Sequence, residues 1–157
     1  MPVKVELRPV TPLDEEFLFR VYASTRRDVE LFGWGPAETN AFIRSQFEMR
    51  SRSYAMQSPN ARSFLILSDG RHAGSAIIDR SGTSISLTDI AVLPEFRGKG
   101  IATQVINGLI AEARDSGVPV VLSVDRTNAP AFGLYTKLGF EVVGEDAFSY
   151  AMRWDAR

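Results

Sequence analysis

The stretch from Thr83 to Val124 constrains the fold more than any other, because it reads strand, glycine-rich turn, helix, strand. Thr83 to Val92 forms a long strand that ends at Pro94. From Ile101 to about Ser116, Val105, Ile106, Leu109, Ile110 and Ala113 recur at helical spacing, and Gly117 with Pro119 stops the run. Val118 to Val124 is almost continuously apolar, the pattern of a strand covered on both faces. A strand-helix-strand crossover makes its two strands parallel neighbours. Between strand and helix lie Arg97, Gly98, Lys99, Gly100, Ile101 and Ala102. Two glycines among basic residues at such a junction let successive backbone N–H groups point at one anion. The helix adds its unpaired N-terminal donors and the positive end of its dipole. The turn is therefore a site for phosphate or pyrophosphate.

The rest of the chain supplies antiparallel partners. Val3, Val5 and Leu7 alternate with Lys4, Glu6 and Arg8 in a half-buried first strand, ended by Pro9 and Pro12. Thr11 or Asp14 caps a helix running to Val29, with Leu13, Phe17, Leu18, Val21 and Tyr22 on one face. After a break at Phe32 to Pro36, a second helix runs from about Ala37 to Met49 or beyond and fades into a polar loop over Ser51 to Asn60. Phe64 to Leu67 and Gly74 to Asp79 are strands joined by Asp69-Gly70, a strong hairpin signal, and a second turn falls at Ser81-Gly82. Asn128 caps a short helix that begins near Pro130 and ends at Gly139; Glu141 to Val143 and Phe148 to Trp154 close the chain as strands. These elements predict an α/β (α+β) fold: one domain over residues 1–157, a mixed, mostly antiparallel sheet with one central parallel strand pair, and helices on both faces. Ligands in such sheets bind beyond the carboxyl ends of parallel strands, here Val92 and Val124, and both the Arg97 turn and Asn128 lie just past those ends.

Composition narrows the chemistry. The 157 residues include no cysteine, which removes a thiol nucleophile, a disulfide framework and a thiolate zinc site. With His72 as the one histidine, a His-centred triad or a multi-His metal site is nearly excluded, so no metal is expected. A formal net charge of −1 gives no general attraction to nucleic acid or an anionic membrane, so neither is an expected partner and any anion is held locally. Met1 to Arg8 alternates polar and apolar residues, and no run approaches the roughly 18 apolar residues of a spanning helix, so a cytoplasmic protein is expected.

Two motifs in order, Arg97-x-x-Gly100-x-Ala102 after Ile90-Ala91-Val92 and then Asn128-x-x-Ala131-x-x-Leu134-Tyr135-x-x-Leu138-Gly139-Phe140, resemble the GCN5-related N-acetyltransferase (GNAT) family over about residues 85 to 141. The resemblance implies acetyl-CoA as cosubstrate and an amine as acceptor. It implies that the loop from Arg97 through Gly98, Lys99, Gly100, Ile101, Ala102 and Thr103 binds the pyrophosphate by backbone amides. The strand carrying Ile90, Ala91 and Val92 would splay from its parallel neighbour and pair with the pantetheine arm. Asn128 matches an asparagine that contacts that arm, although a plain helix cap accounts for it equally well. Tyr135 matches the tyrosine that protonates the departing thiolate; its other reading is an aromatic packed on the helix with Phe132 and Leu138.

The general base is less defined. Asp89 is the carboxylate nearest Ile90 in sequence, and strand alternation places it on the face of Leu87 and Ala91, where a buried structural acid is the competing reading. Some family members carry a glutamate four residues before Ile90; Ser86 stands there, which favours a proton relayed through water. Trp34, Phe32 and Tyr54 fall where the family covers its acceptor, and Glu30, Glu38 and Glu48 are candidate partners for a cationic amine. With no cysteine to carry an acyl group, the reaction would be direct attack in a ternary complex. The alternative is a non-catalytic acyl-CoA binding or sensing module on the same fold. A dinucleotide site fits poorly, since Thr103 occupies the third small-residue position of its fingerprint, and a phosphate loop of the kinase type lacks its Ser or Thr after Lys99. Phe148 to Trp154, read as an edge strand, would allow a homodimer.

Overall fold

A computed structural model describes residues 3–156, and these form a seven-stranded mixed sheet flanked by helices. The strands are β1 Val5–Pro9, β2 Arg62–Ser68, β3 Arg71–Asp79, β4 Ile85–Val92, β5 Val120–Asp125, β6 Glu141–Glu145 and β7 Ser149–Trp154. The helices are α1 Glu15–Ser24, α2 Pro36–Gln57, α3 Ile101–Ser116 and α4 Ala129–Lys137. In space the strands run β1-β2-β3-β4-β5-β7-β6, with only β4 and β5 parallel, as the crossover through α3 requires. Among the described residues no helix is long and apolar enough to cross a membrane.

Local chemistry explains the elements that hold their expected places. Asp69 and Gly70 both take positive φ, 49° and 80°, the conformation of the tight turn that matches strand twist. Gly117 closes α3 in the left-handed region, and its N–H reaches the Arg114 carbonyl. The apolar stripe of α3, Val105, Ile106, Leu109, Ile110 and Ala113, is buried in one core with Ile66, Ile78, Leu87, Val120 and Met152.

Several expectations change. The first helix stops at Ser24, and Arg27–Phe32 instead forms a tighter turn closed by Gly33 at φ 70°. The second helix extends to Gln57 and absorbs the stretch expected as loop; Ser51 spends its hydroxyl on the Phe47 carbonyl, and Arg50 and Tyr54 pack toward α1 and β4. β5 is not covered on both faces, because Val120, Leu122 and Val124 are buried while Ser123 is exposed. The last strand is not an edge: β7 pairs with β5 on one side and β6 on the other, so its hydrogen-bonding groups are spent and it cannot zip onto a second copy.

A bulge in β4 matters most for the site. Ile78 pairs with Leu87 and Ile77 with Asp89, leaving Thr88 as an extra residue. One added residue inverts the side-chain alternation, so Asp89 faces away from Leu87, contrary to simple alternation, while still sharing a face with Ala91. Leu87 enters the core beside α3, and Asp89 enters the cavity beneath α1 and α2.

Candidate functional site

The parallel contact between β4 and β5 is short. It covers Ile85 with Val120, Ser86 with Val121 and Leu87 with Leu122, after which β5 continues only against β7. Beyond Leu87, β4 is held on its other side by β3, through Ile77 with Asp89, Ala76 with Ile90, Ser75 with Ala91 and Gly74 with Val92. Leu93 donates its N–H to Ala73 at 2.8 Å, so strand alternation turns the main-chain groups of Val92 and Ile90 away from β3, toward the open seam. Arg97 Nε donates to the Val92 carbonyl at 2.9 Å from that open side. The seam is thus a strand edge that no strand pairs with, its Val92 carbonyl engaged by Arg97, and the edge is one an extended amide-bearing chain could pair with.

At the carboxyl end of the seam the chain makes a short turn over Pro94–Phe96 and enters the basic loop. Gly98 and Gly100 take φ of 77° and 75°, which favours glycine, and a Cβ on either would meet open space. Their requirement is conformational. Gln104 N–H closes the first bond of α3 on the Gly100 carbonyl at 3.0 Å, so the N–H groups of Gly100, Ile101, Ala102 and Thr103 precede it and have no helical partner. The Ile101 side chain is buried, so it serves an anion only through its backbone. Arg97 and Lys99 are exposed; Lys99 Nζ sits 5.6 Å from the Phe96 ring, and Arg97 has one nitrogen on Val92, with its guanidinium tip left over. The loop and strand edge therefore fit a pyrophosphate joined to an amide-bearing arm, which is the chemistry of CoA.

Asn128 stands across the seam at the head of α4. Its Oδ1 accepts the Ala131 N–H at 3.2 Å, so it is a helix cap, and it also lines the cavity. Tyr135, further along α4, is 7% exposed, with its ring 5.9 Å from that of Phe140. Its hydroxyl has no hydrogen-bond partner among the described residues and is not sealed from solvent. Burial, and then the Asp89 charge, push the Tyr135 hydroxyl above the ordinary tyrosine range, so it keeps its proton at neutral pH. Tyr135 does not line the cavity, but it shares the electrostatic neighbourhood of Asp89.

Asp89 is part of the wall of a cavity of about 730 Å³ between α1, α2 and the sheet. Its Oδ2 lies 2.7 Å from Arg50 Nη2, and both side chains are partly exposed. The same wall carries Tyr22, Tyr54, Ile90, Ala91 and Asp125. Asp125 accepts the Thr127 N–H at 2.8 Å and hydroxyl at 2.6 Å, bonds that hold its carboxyl below the usual carboxylate range. Of the residues expected over the acceptor, Tyr54 is there. Phe32 and Trp34 instead stack with Phe42 in an outer cluster, and Glu30, Glu38 and Glu48 are exposed and do not line the cavity. His72, in the β2–β3 hairpin, is exposed and meets the Phe17 ring edge at 5.2 Å.

Two residues carry more of the site than their sequence context announces. Arg50 is one, hidden in a stretch without helical periodicity. Gly74 is the other: a Cβ there would overlap the Ala91 carbonyl oxygen and come within 3.0 Å of Val92 Cα, so only glycine lets β3 hold β4 this closely. An isolated glycine inside a strand pattern was the available signal.

Comparison with known proteins adds three findings. Residues 20–140 match the model of the acetyltransferase (GNAT) family. Streptothricin acetyltransferase of Streptomyces lavendulae is 36% identical over 95 residues, 58% of this chain and 50% of that protein. An L-methionine sulfoximine/L-methionine sulfone acetyltransferase of Pseudomonas aeruginosa is 39% identical over 57 residues, 36% of this chain and 33% of that protein. These matches thus span half or less of the curated relatives' length. Among solved structures, the PaiA N-acetyltransferase of Thermoplasma acidophilum, crystallised with coenzyme A, superposes with a TM-score of 0.71 at 18% identity over 98% of this chain and 99% of that one. At that identity the likeness shows the fold.

Proposed function

This chain belongs to the acetyltransferase (GNAT) family, and on that footing we propose that it transfers the acetyl group of acetyl-CoA to a primary amine by direct attack in a ternary complex. The observation that carries this reading is the open edge of β4. It runs from the cavity of Asp89, past Ile90 and Val92, into the N–H groups of the Gly98–Thr103 loop. An acyl-CoA laid along that edge would place its pyrophosphate on the loop and its thioester beside the cavity. Bound acetyl-CoA supplies an activated acyl group and a thiolate leaving group.

The residues of this chain divide the remaining work. The main-chain groups of Ile90 and Val92 orient the cosubstrate's amides, and Asn128 narrows the far side of the seam. Tyr135, which keeps its proton at neutral pH and whose hydroxyl has no partner among the described residues, is placed to give a proton to the departing sulfur. Asp89 lies against Arg50 in the cavity wall, where its carboxylate is suited to attract an ammonium. The amine's proton then leaves to water in the open cavity. The absence of cysteine leaves no thiol for an acyl-enzyme.

The test follows thiol release from acetyl-CoA with a panel of small amines, and the acetylated product by mass spectrometry. In Tyr135→Phe, kcat should fall by about 10²- to 10⁴-fold, the usual worth of a positioned acid, while CoA affinity and thermal stability hold. Absence of any acetylated amine, with CoA still bound, would identify a binding module instead.

A further inference from the structure

The cavity wall carries an ion pair that acetyl transfer itself does not require. Arg50 has its guanidinium 4.8 Å from the Tyr54 ring centroid and 5.1 Å from that of Tyr22, and its Nη2 is 2.7 Å from Asp89 Oδ2. The side chains of Arg50 and Asp89 remain 27% and 29% exposed. Half-exposed ion pairs contribute little stability, and buried ones are a poor source of it. Both rings lie within cation–π reach of the guanidinium and help to hold it at the cavity wall. A guanidinium carries more N–H groups than Tyr54 and one carboxylate can take, and Asp89 has lone pairs beyond those that face Arg50, so donors and acceptors remain for a ligand.

The wall thus presents one positive and one negative group within a single hydrogen-bond length. A simple alkylammonium would gain at Asp89 and be repelled by Arg50. A molecule with ammonium and carboxylate on neighbouring atoms satisfies both. Asp125, the other carboxylate in the wall, accepts from Thr127 and forms no ion pair with Arg50 among the described residues.

We propose that the acceptor is a small α-amino acid or close analogue, its carboxylate received by Arg50 and its amine held by Asp89 at the open edge of β4. This rests on the acetyltransferase reading above. In the balanced reaction the amine nitrogen bonds the acetyl carbonyl carbon as the carbon–sulfur bond breaks. Of the two protons the ammonium loses, one returns through water to Tyr135, which has given its own to sulfur, and the other passes to bulk water.

The experiment compares kcat/KM for matched pairs that differ only in the carboxylate: L-phenylalanine against 2-phenylethylamine, and L-methionine against 3-(methylsulfanyl)propylamine, with L-phenylalanine amide as a third arm. The carboxylated member should be preferred by about ten- to a hundredfold, the scale of a charge-assisted hydrogen bond. Arg50→Gln should collapse that preference through KM, and Arg50→Lys, which keeps a cation beside Asp89, should restore part of it. A purely structural arginine would change activity toward both members alike. Equal or better use of the decarboxylated amines or of the amide by the unaltered protein overturns the proposal and leaves acetyl transfer standing. If no member of any pair is acetylated, this proposal fails, and acetyl transfer fails with it only if the wider amine panel also yields no acetylated product.

Discussion

Gly74→Ala tests the geometry on which the site depends. The added Cβ would overlap the Ala91 carbonyl oxygen and lie 3.0 Å from Val92 Cα and 3.1 Å from the Ala91 carbonyl carbon. All three atoms are backbone, so no side chain can rotate aside. Restoring an ordinary carbon contact of about 3.5 Å or more requires β3 and β4 to part by roughly 1 Å. The neighbouring bond from Leu93 N–H to the Ala73 carbonyl, now 2.8 Å, would then exceed hydrogen-bond reach. Overpacking of this kind costs about 1–3 kcal/mol, and a lost ladder bond about 1 kcal/mol more. In a domain of this size, each kcal/mol lowers Tm by about 2–4 °C, so a fall of roughly 5–15 °C is expected. The same displacement moves Ile90 to Val92, and a misplacement of about 1 Å at a reacting centre reduces turnover by up to about 10²-fold. Thermal unfolding and steady-state acetyl transfer are the assays. Gly108→Ala, in exposed α3 where a Cβ meets nothing within 4 Å, is the control and should stabilise by up to about 1 kcal/mol. A Gly74→Ala protein that melts within about 2 °C of the unaltered chain would refute the close approach as a rigid constraint.

Two further outcomes follow from particular residues. Gly100→Ala places a side chain at φ 75°, which costs about 1–2 kcal/mol, and turning the loop to relieve it misaims the first N–H groups of α3. CoA affinity by calorimetry should weaken more than stability, and unchanged affinity would remove the loop from the cosubstrate site. Asp14 accepts the Thr11 N–H at 2.8 Å, the Thr11 hydroxyl and Arg8, bonds that hold it below its ordinary value of 3.8. A depressed folded value means that the folded state binds fewer protons than the unfolded one just below that ordinary value. The stabilisation is complete above it and is lost as pH falls through the folded value. Asp14→Asn should therefore lower Tm at neutral pH, and the gap should narrow as pH falls below 3.8; a gap independent of pH would show that the charge is not its source.

Much of the fold was legible because the residues responsible act locally. Asp69-Gly70 turns the chain through its own φ angles, Gly117 stops α3, and Asn128 caps α4 through a bond three residues along. The apolar stripe of α3 needs no knowledge of its partners to announce a helix. The first helix's end and the length of α2 were less legible, because serines and arginines over 50–56 have no apolar period. Their helix is sustained by what Arg50 and Tyr54 meet across the fold.

The sequence by itself determined the crossover, the glycine turn at the start of α3 and the positions of Asn128 and Tyr135, since each depends on dihedral preferences or spacing within a few residues. Only the tertiary structure decided where β4 leaves β5, that Thr88 bulges and sends Asp89 into the cavity, and that Gly74 lies under Ala91. The pairing of Arg50 with Asp89 belongs to that second group. The physical reason is common to all of them. Each depends on the register between chains that meet only after folding, and a shift of one residue in that register reverses which face a side chain occupies.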